Sequence, residues 1–281
     1  MSKLLTVFGA TGQQGGALIN HILDSPYLSS AFTLRGITRD SSKAAAIALK
    51  ERGVEIVEAD LQVPSTIKKA VAGSHAVFGV TNFWESASYD VEVSQGKAIA
   101  DAAVEAGVKQ IIWSSLPSVT KISGGKVTSM KHFDGKAEVE TYIRTLDIKS
   151  VFFMPGWFMQ NHLLMKPKKA DDGTYLFSLP FEPSTLLPLI DIRDTGNLTE
   201  MAETWTKVTG KTVVVHVPKN VGEYDTLSEA QREELKGTSA LADYGYYGPT
   251  GTDDLAWTLE QVTEKLRTWE EFVRDNEPWF A

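Results

Sequence analysis

The stretch VFGATGQQGG, residues 7–16, is the feature that most restricts what this chain can fold into. It places Gly9, Gly12 and Gly15 three residues apart, after an apolar run that predicts a strand and before a run that predicts a helix. Glycines at such places allow a tight turn and a close backbone approach, and the helix N-terminus offers N–H groups and positive potential to a pyrophosphate. The stretch therefore predicts a dinucleotide-binding turn, with a plain glycine-rich strand-to-helix connection as the alternative.

Apolar runs and helical patterns alternate through the first half of the chain. The runs that predict strands are LLTVFG, FTLRGITR, VEIVEAD, AVFGVTN, QIIWSSL and SVFF. Because such runs are typical of parallel strands covered on both faces, we predict a doubly wound α/β fold, with a Rossmann-type parallel sheet and a smaller mixed α/β C-terminal lobe. The predicted division is a dinucleotide-binding Rossmann domain over 1–155, with 185–208 returning to it, and a substrate or partner lobe over 156–184 and 209–281.

The composition argues against several classes of function. A formal charge of −8 and a pI of about 5.2 disfavour direct binding to nucleic acid, which requires a basic face. The chain has no Cys, which excludes disulfides and Cys nucleophiles, and its five His are scattered, so we expect no metal. No apolar run approaches the roughly 18 residues of a membrane span and no targeting segment is visible, so we expect a soluble protein of the cytoplasm, with the nucleus as a second compartment.

The end of the second predicted strand, GITRD, indicates which dinucleotide binds. NAD enzymes usually carry an acidic residue there, which accepts a hydrogen bond from the ribose 2′-OH. Here Arg39 occupies the position, and Lys43 follows at the start of the next helix. Because a planar guanidinium suits a 2′-phosphate, we predict NADP(H) as the cofactor. Asp40 tempers the preference, and a solvated Arg39 is the alternative.

Several polar residues follow the third and fourth predicted strands, at the edge where ligands of such sheets bind. Asp60 is placed to meet the adenine side of the cofactor, and equally to cap the next helix. Thr81, Asn82 and Phe83 are candidates for cofactor contact, whereas Trp84 is read equally well as core.

The segment HFDGK, residues 132–136, raises the question of catalysis. His132 and Lys136 lie one turn apart on the same face of a predicted helix. In a short-chain dehydrogenase a Tyr and a Lys at this spacing carry the proton chemistry, and here the Lys is present but the Tyr is not. A cation one turn away disfavours positive charge on the imidazole, so a bystander role suits His132 better than proton donation. We expect Lys136 to hydrogen-bond the nicotinamide ribose whether or not a reaction occurs.

Three further residues are candidates for contact with substrate or cofactor. Ser115, at the end of the fifth predicted strand, is a candidate for polarising a substrate carbonyl, with a capping hydroxyl as the alternative. Trp157 and Phe158 follow the sixth strand and are expected to wall the nicotinamide, with an interface between lobes as the alternative. The stretch ADYGYYGPTG reads as a substrate lid, a partner surface or a packed loop.

Five segments in order, VFGATGQQGG, ITRD, VTNFWE, HFDGKAEVE and PGWFMQN, resemble the NmrA-like proteins, an atypical branch of the short-chain dehydrogenase superfamily. The likeness covers nearly the whole chain and is greatest to the NADP(H)-sensing members. It implies an NADP-binding Rossmann fold, loss of the catalytic Tyr and a regulatory role that reads cofactor redox state. The residues it assigns to the pyrophosphate are Gly9, Thr11, Gly12, Gln13, Gln14 and Gly15. Those it assigns to the 2′-phosphate are Arg39 and Lys43, and those it assigns to the nicotinamide half are Thr81, Asn82, Phe83, Lys136, Trp157 and Phe158.

Two hypotheses follow from these residues. The first is an NADP(H)-binding regulatory protein, a redox sensor without dehydrogenase activity. The second is an NADPH-dependent oxidoreductase acting on a small carbonyl or imine, with Lys136, Ser115 and His132 as its catalytic residues. The expected partners are NADPH or NADP⁺ and, by resemblance alone, a transcription factor that no motif in this chain encodes. The sequence leaves the oligomeric state and the favoured redox form open.

Overall fold

The computed structural model describes residues 2–179, 185–191, 196–197, 207–211, 213–216, 228–238, 240–261 and 266–279. The chain divides into two compact units. The first comprises Met1–Ser118 and His132–Met154, and the second comprises Val119–Lys131 and Pro155–Ala281. This division differs from the predicted one in two places, because 119–131 and 185–208 both fall in the second unit. The division of labour between the units stays a prediction.

A six-stranded parallel sheet forms the centre of the first unit and confirms the predicted fold class. Its order is β3-β2-β1-β4-β5-β6. The strands are β1 Lys3–Val7, β2 Phe32–Thr38, β3 Glu55–Glu58, β4 Ala76–Gly79, β5 Gln110–Ser114 and β6 Lys149–Phe153. The direction of the strand order reverses at β1, so the crevice between β1 and β4 is where ligands of open α/β sheets bind.

Helices connect the strands and cover the sheet. Those of the first unit are α1 Gln13–Asp24, α2 Pro26–Ala31, α3 Ala44–Glu51, α4 Pro64–Val71, α5 Tyr89–Glu105 and α7 Lys131–Ile143, whereas the short α6 Val119–Ile122 belongs to the second unit. The start of α5 shows why a helix begins there: the Ser88 hydroxyl accepts from the Val91 N–H, and Asp90 and Glu92 lie in the first turn, where the helix dipole favours acids.

Two apolar clusters account for the covering of both faces. Alternate residues of a strand point to opposite faces, so Val7 and Phe8 belong to different clusters. Trp113 on β5 is the largest fully buried side chain of the cluster that contains Phe8. Apolar side chains therefore pack against both faces of the sheet.

The second unit is a mixture of short strands and helices, as the predicted lobe is. Its described elements are β7 Trp157–Phe158, α8 Asn161–Leu164, β8 Lys168–Lys169, β9 Tyr175–Ser178, β10 Leu186–Leu187, β11 Leu189–Ile190, β12 Gly196–Asn197, β13 Val213–His216, α9 Glu229–Thr238, α10 Ala240–Tyr244, α11 Gly251–Gln261 and α12 Trp269–Asp275. The sequence TLLPLIDIRDTGNLTEMAETW, residues 185–205, predicts a strand, a turn and a helix, and the helix lies outside the described residues. Within the part of the chain that is described, no helix is long and apolar enough to cross a membrane.

Candidate functional site

The glycine-rich turn follows β1 and leads into α1, as its spacing predicts. Gly9 has φ +63°, a left-handed conformation that favours glycine. A Cβ on Gly15 would lie 2.4 Å from the Gly9 carbonyl oxygen, so a side chain there would collide with the turn itself. α1 begins after Gly12 without a side-chain cap and without an acid in its first turn. Its first N–H groups are therefore available to an anion.

Neighbouring strand ends flank this turn. The Ala10 N–H donates to the Ile37 carbonyl of β2, at 3.3 Å. On the other side, a Cβ on Gly9 would lie 2.9 Å from Val80 Cγ1, directly after β4. Gln14 of α1 accepts from the Ser114 hydroxyl at 2.6 Å, which connects the start of α1 to the end of β5. Of the other residues predicted to hold a pyrophosphate, Thr11 and Gln13 are exposed at this edge.

The two residues predicted to bind the 2′-phosphate follow β2, and one of them, Arg39, meets an acid. Arg39 forms an ion pair with Glu85, which ends the short 3₁₀ turn Phe83–Glu85 after β4. Sequence reasoning did not single out Glu85, although it belongs to the quoted VTNFWE segment. Lys43 is exposed directly before α3 and forms no ion pair with any described residue.

Two more carboxylates, Asp40 in the loop after Arg39 and Glu58 at the end of β3, accept hydrogen bonds from that loop. The Glu58 carboxylate accepts from the Ser41 N–H at 2.8 Å and from the Ser41 hydroxyl at 2.6 Å. Asp40 accepts from the N–H and the hydroxyl of Ser42, at 2.9 and 2.5 Å. These hydrogen bonds hold the pKa of Glu58 and the pKa of Asp40 below their ordinary values. Both groups therefore keep their negative charge at neutral pH.

Asp60 adopts the turn-forming arrangement of an Asp, in which its carboxylate accepts from the Gln62 N–H at 2.9 Å. It does not cap α4, which begins at Pro64 after Val63. The capping alternative is therefore wrong, and contact with the adenine side stays a prediction.

Lys136 is buried at the end of β4 and is held by Glu92. Its ammonium nitrogen lies 2.7 Å from Glu92 Oε1 and 3.2 Å from both the carbonyl oxygen and the hydroxyl of Thr81. The Thr81 hydroxyl in turn donates to the same Glu92 oxygen at 2.7 Å. An ammonium has three N–H donors, so each has an acceptor within the protein.

Two glycines bring α5 and α7 close enough to form this cluster. A Cβ on Gly135 would lie 3.0 Å from Glu92 Cγ, and one on Gly96 would lie 2.5 Å from Val139 Cγ2. One helical turn separates the two contacts. In the first, Gly135 of α7 faces Glu92 of α5, and in the second, Gly96 of α5 faces Val139 of α7. The glycine of HFDGK is therefore explained by the close approach of Glu92. The neighbouring contact between Lys136 and Glu92 spans 44 positions of the chain, which a single sequence does not reveal.

His132 packs in a group of aromatic rings. Its ring centroid lies 5.0 Å from that of Trp84, 5.7 Å from that of Phe83 and 4.7 Å from that of Phe133. Phe83 is buried, whereas Trp84 is 47% exposed, so the reading of Trp84 as core is wrong.

The remaining predicted residues have other partners. Ser115 is buried at the end of β5, and its hydroxyl donates to Glu140 of α7 at 2.6 Å. Trp157 and Phe158 form β7 of the second unit, paired with β11. In the Tyr-rich stretch, the buried Tyr246 donates its hydroxyl to the Pro155 carbonyl at 3.4 Å, which favours a packed loop. The roles assigned to Ser115, Trp157 and Phe158 stay predictions.

Among the described residues, no group of three or more His, Cys, Asp or Glu side chains is arranged to hold a metal ion. The groups described at the edge where the strands end are glycine backbone, hydroxyls and a few charged pairs.

Comparisons of the sequence and of the fold with known proteins all point to one family. The model of the NmrA-like family matches residues 1–202. The NmrA-like family domain-containing oxidoreductase ptmS of Penicillium ochrochloron is 36% identical over 168 residues, which span 57% of this chain and 49% of that protein. An NmrA-like family domain-containing protein of Dictyostelium discoideum is 31% identical over 98% of each chain. The crystal structure of NmrA, a negative transcriptional regulator, in complex with NADP has the same fold, with a TM-score of 0.78, 20% identity and coverage of 99% of this chain and 96% of that one.

Proposed function

Because the chain belongs to the NmrA-like family, we propose that it binds NADP(H) and acts as a regulatory protein that responds to the cofactor. In this proposal the pyrophosphate lies on the glycine-rich turn before α1, the 2′-phosphate meets Arg39 and Lys43, and the nicotinamide lies towards Thr81 and Lys136. Sensing then requires that the cofactor bind two states of the protein with different affinities.

The observation that carries the proposal is the commitment of Lys136 to Glu92 and Thr81. A lysine that assists proton transfer has to exchange hydrogen bonds with the reacting groups. Here three oxygens of the protein lie within 3.2 Å of the ammonium nitrogen. This arrangement supports a lysine that fixes the end of β4 and binds a ribose hydroxyl only by giving up a contact with Thr81.

The surroundings of His132 support the same reading. It stands one turn before Lys136, yet three aromatic rings surround the imidazole. An imidazole packed in this way contributes to shape more than to proton transfer.

The second candidate is an NADPH-dependent oxidoreductase, favoured by the name of the Penicillium relative. It requires a proton donor from elsewhere, such as a tyrosine of the stretch ADYGYYGPTG. Burial raises the pKa of Tyr246 and the pKa of Tyr247 above their ordinary values. A raised pKa weakens a phenol as an acid, which counts against this route.

Calorimetric titration of the full chain with NADPH, NADP⁺ and NADH tests the proposal. We expect both NADP forms to bind more tightly than NADH, by roughly tenfold or more, since Arg39 offers charge-assisted hydrogen bonds to the 2′-phosphate. A sensor further requires that NADPH and NADP⁺ differ in affinity. Equal affinities for NADPH and NADP⁺ would contradict redox sensing, and equal affinities for all three would contradict the 2′-phosphate assignment.

A kinetic assay separates the two candidates. We expect no substrate-dependent oxidation of NADPH across a panel of carbonyl and imine compounds. The variants are Lys136→Met, whose fold is verified by circular dichroism because it leaves Glu92 buried without its partner, and Lys97→Met, because Lys97 pairs with Glu138 at 3.1 Å and so connects the same two helices away from β4. Turnover that is lost in Lys136→Met but kept in Lys97→Met would favour the oxidoreductase instead.

A further inference from the structure

We propose that Glu85 determines how strongly this protein prefers NADP(H) over NAD(H), by competing with the 2′-phosphate for Arg39. This inference rests on the proposed cofactor. It concerns a residue that lies outside the predicted binding set and that acts through Arg39.

The first step is where the ion pair lies. β2 and β4 are the two neighbours of β1 in the sheet, and both run parallel to it. Arg39 follows β2 and Glu85 ends the turn after β4, so their side chains meet across the end of β1. Adjacent strands are about 4.8 Å apart, so the pair bridges roughly 10 Å at the edge where the glycine-rich turn lies. A dinucleotide on that turn places its adenosine half beside this pair.

Acids occupy one donor of Arg39 and the donors of Ser41 and Ser42 at this corner, whereas Lys43 forms no ion pair with a described residue. A 2′-phosphate at the end of β2 needs the Arg39 guanidinium and N–H or O–H groups of the loop that follows. The guanidinium is paired with Glu85, the Ser41 donors with Glu58 and the Ser42 donors with Asp40. A phosphate that binds Arg39 beside Glu85 brings a second anion to the same guanidinium, and the two anions repel each other.

The three carboxylates differ in how easily a phosphate can displace them. Glu58 and Asp40 each accept from both the N–H and the hydroxyl of a serine, which fixes them to the loop. Glu85 reaches Arg39 from another strand end, and both side chains are largely exposed. An exposed ion pair changes an equilibrium constant by a factor of roughly two to five. Glu85 is therefore weak enough to be displaced by the phosphate, and strong enough to reduce the affinity for it.

The consequence differs between the two cofactors. NAD(H) carries a 2′-hydroxyl and gains little from Arg39, so the ion pair can persist when it binds. NADP(H) carries a phosphate that competes with Glu85 for the guanidinium of Arg39. Glu85 thus weakens the binding of NADP(H) selectively and keeps the preference moderate.

Calorimetric titration of NADP⁺, NAD⁺ and adenosine 2′,5′-bisphosphate tests this inference on the full chain. The variants are Glu85→Gln, Arg39→Gln and the double variant. The control is Glu55→Gln, which makes the same change of charge at an exposed glutamate that pairs with Arg35 at 2.9 Å, at the opposite end of the sheet. We expect Glu85→Gln to tighten NADP⁺ and the bisphosphate roughly two- to fivefold and to leave NAD⁺ unchanged. Glu55→Gln changes none of the three, and in the Arg39→Gln background Glu85→Gln has no further effect.

The inference is overturned if Glu85→Gln leaves the affinity for NADP⁺ unchanged or weakens it. It is also overturned if NAD⁺ tightens equally, or if the effect persists without Arg39, since either result indicates long-range charge rather than competition. The bisphosphate has no nicotinamide, so its response separates this inference from redox sensing. A protein that tightens on the bisphosphate but binds NADPH and NADP⁺ alike keeps the role of Glu85 and loses the sensor. A chain that binds none of these ligands in any variant refutes both.

Discussion

The edge of the sheet carries two pairs of a cation with a glutamate, and the two differ mainly in burial. Arg39 and Glu85 are 59% and 46% exposed in their side chains, whereas Lys136 and Glu92 are 10% and 1% exposed. Each glutamate comes from the segment that follows β4. The same chemistry therefore occurs once in contact with water and once in the interior.

Burial determines which of these two ion pairs a ligand can replace. Water replaces the partner of an exposed ion at little cost, so such a pair contributes only about 0–1 kcal/mol. A buried ion that loses its partner keeps an uncompensated charge, which costs about 3–5 kcal/mol. We therefore interpret Arg39–Glu85 as a contact that opens for a phosphate, and Lys136–Glu92 as part of the framework.

The largest expected effect comes from breaking the buried pair. Glu92→Gln leaves the Lys136 ammonium opposite a neutral amide, and we expect the free energy of unfolding to fall by about 3–5 kcal/mol. Glu85→Gln, the same change at the exposed pair, lowers it by no more than about 1 kcal/mol. Urea unfolding followed by circular dichroism measures both.

A double variant completes this test. Glu92→Gln with Lys136→Met removes both charges, so it should recover much of the stability lost in Glu92→Gln. Equal losses for Glu92→Gln and Glu85→Gln would remove the distinction between the two pairs.

Burial acts on charge in the second unit as well, which extends the comparison. His162 is fully buried, with rings of Phe177 and Trp269 about 5 Å away, and this burial lowers the pKa of His162 from 6.5 to about 3. Between these two values the unfolded chain binds a proton that the folded chain does not. The free energy of unfolding therefore falls as the pH falls, by about 2 kcal/mol between pH 7 and pH 5.

The His162→Phe variant isolates this contribution, because it keeps a ring and removes the titration. Urea unfolding at pH 7 and pH 5 should show a steeper loss for the wild type than for the variant. Identical losses in the two proteins would show that burial does not keep this imidazole neutral.

The smallest expected effect concerns the helix contact that positions the buried pair. Gly96→Ala places a methyl group against Val139, which costs about 1–3 kcal/mol of overpacking and is offset by about 1 kcal/mol of helix propensity. We expect a net loss of roughly 1 kcal/mol in unfolding free energy. Ser94→Ala, exposed on the same helix, should change stability by less. A Gly96→Ala variant more stable than wild type would show that α5 and α7 can separate without cost.

The fold was predictable because its signals are local. The strand-to-helix turn at Gly9 and the alternation of apolar runs each lie within a few residues, and together they define a parallel sheet. The boundary of the first unit near residue 155 follows from the same pattern. The transfer of 119–131 to the second unit was not predictable, because it depends on which distant residues that segment packs against.

The candidate site was predictable in its positions and not in its partners. HFDGK and GITRD contain Lys136 and Arg39, but nothing near them in sequence indicates Glu92 or Glu85. The 3₁₀ turn also reverses the expected exposure of Phe83 and Trp84, because a tight turn decides which ring faces the interior. Gly135 is the one local sign of Glu92, since a glycine inside a helix costs about 1 kcal/mol relative to Ala and so indicates a close neighbour without identifying it.

The exposed Trp84 gives the protein an optical reporter of its own. Its indole lies partly in water and 5.0 Å from the ring of His132, and it is adjacent in sequence to Glu85. Fluorescence of an indole depends on both its hydration and its neighbours, so displacement of Glu85 by a phosphate should change the emission. The chain has seven tryptophans, and a difference spectrum against Trp84→Phe isolates this one. Binding of the 2′-phosphate beside Arg39 should thus be measurable in real time without an added label.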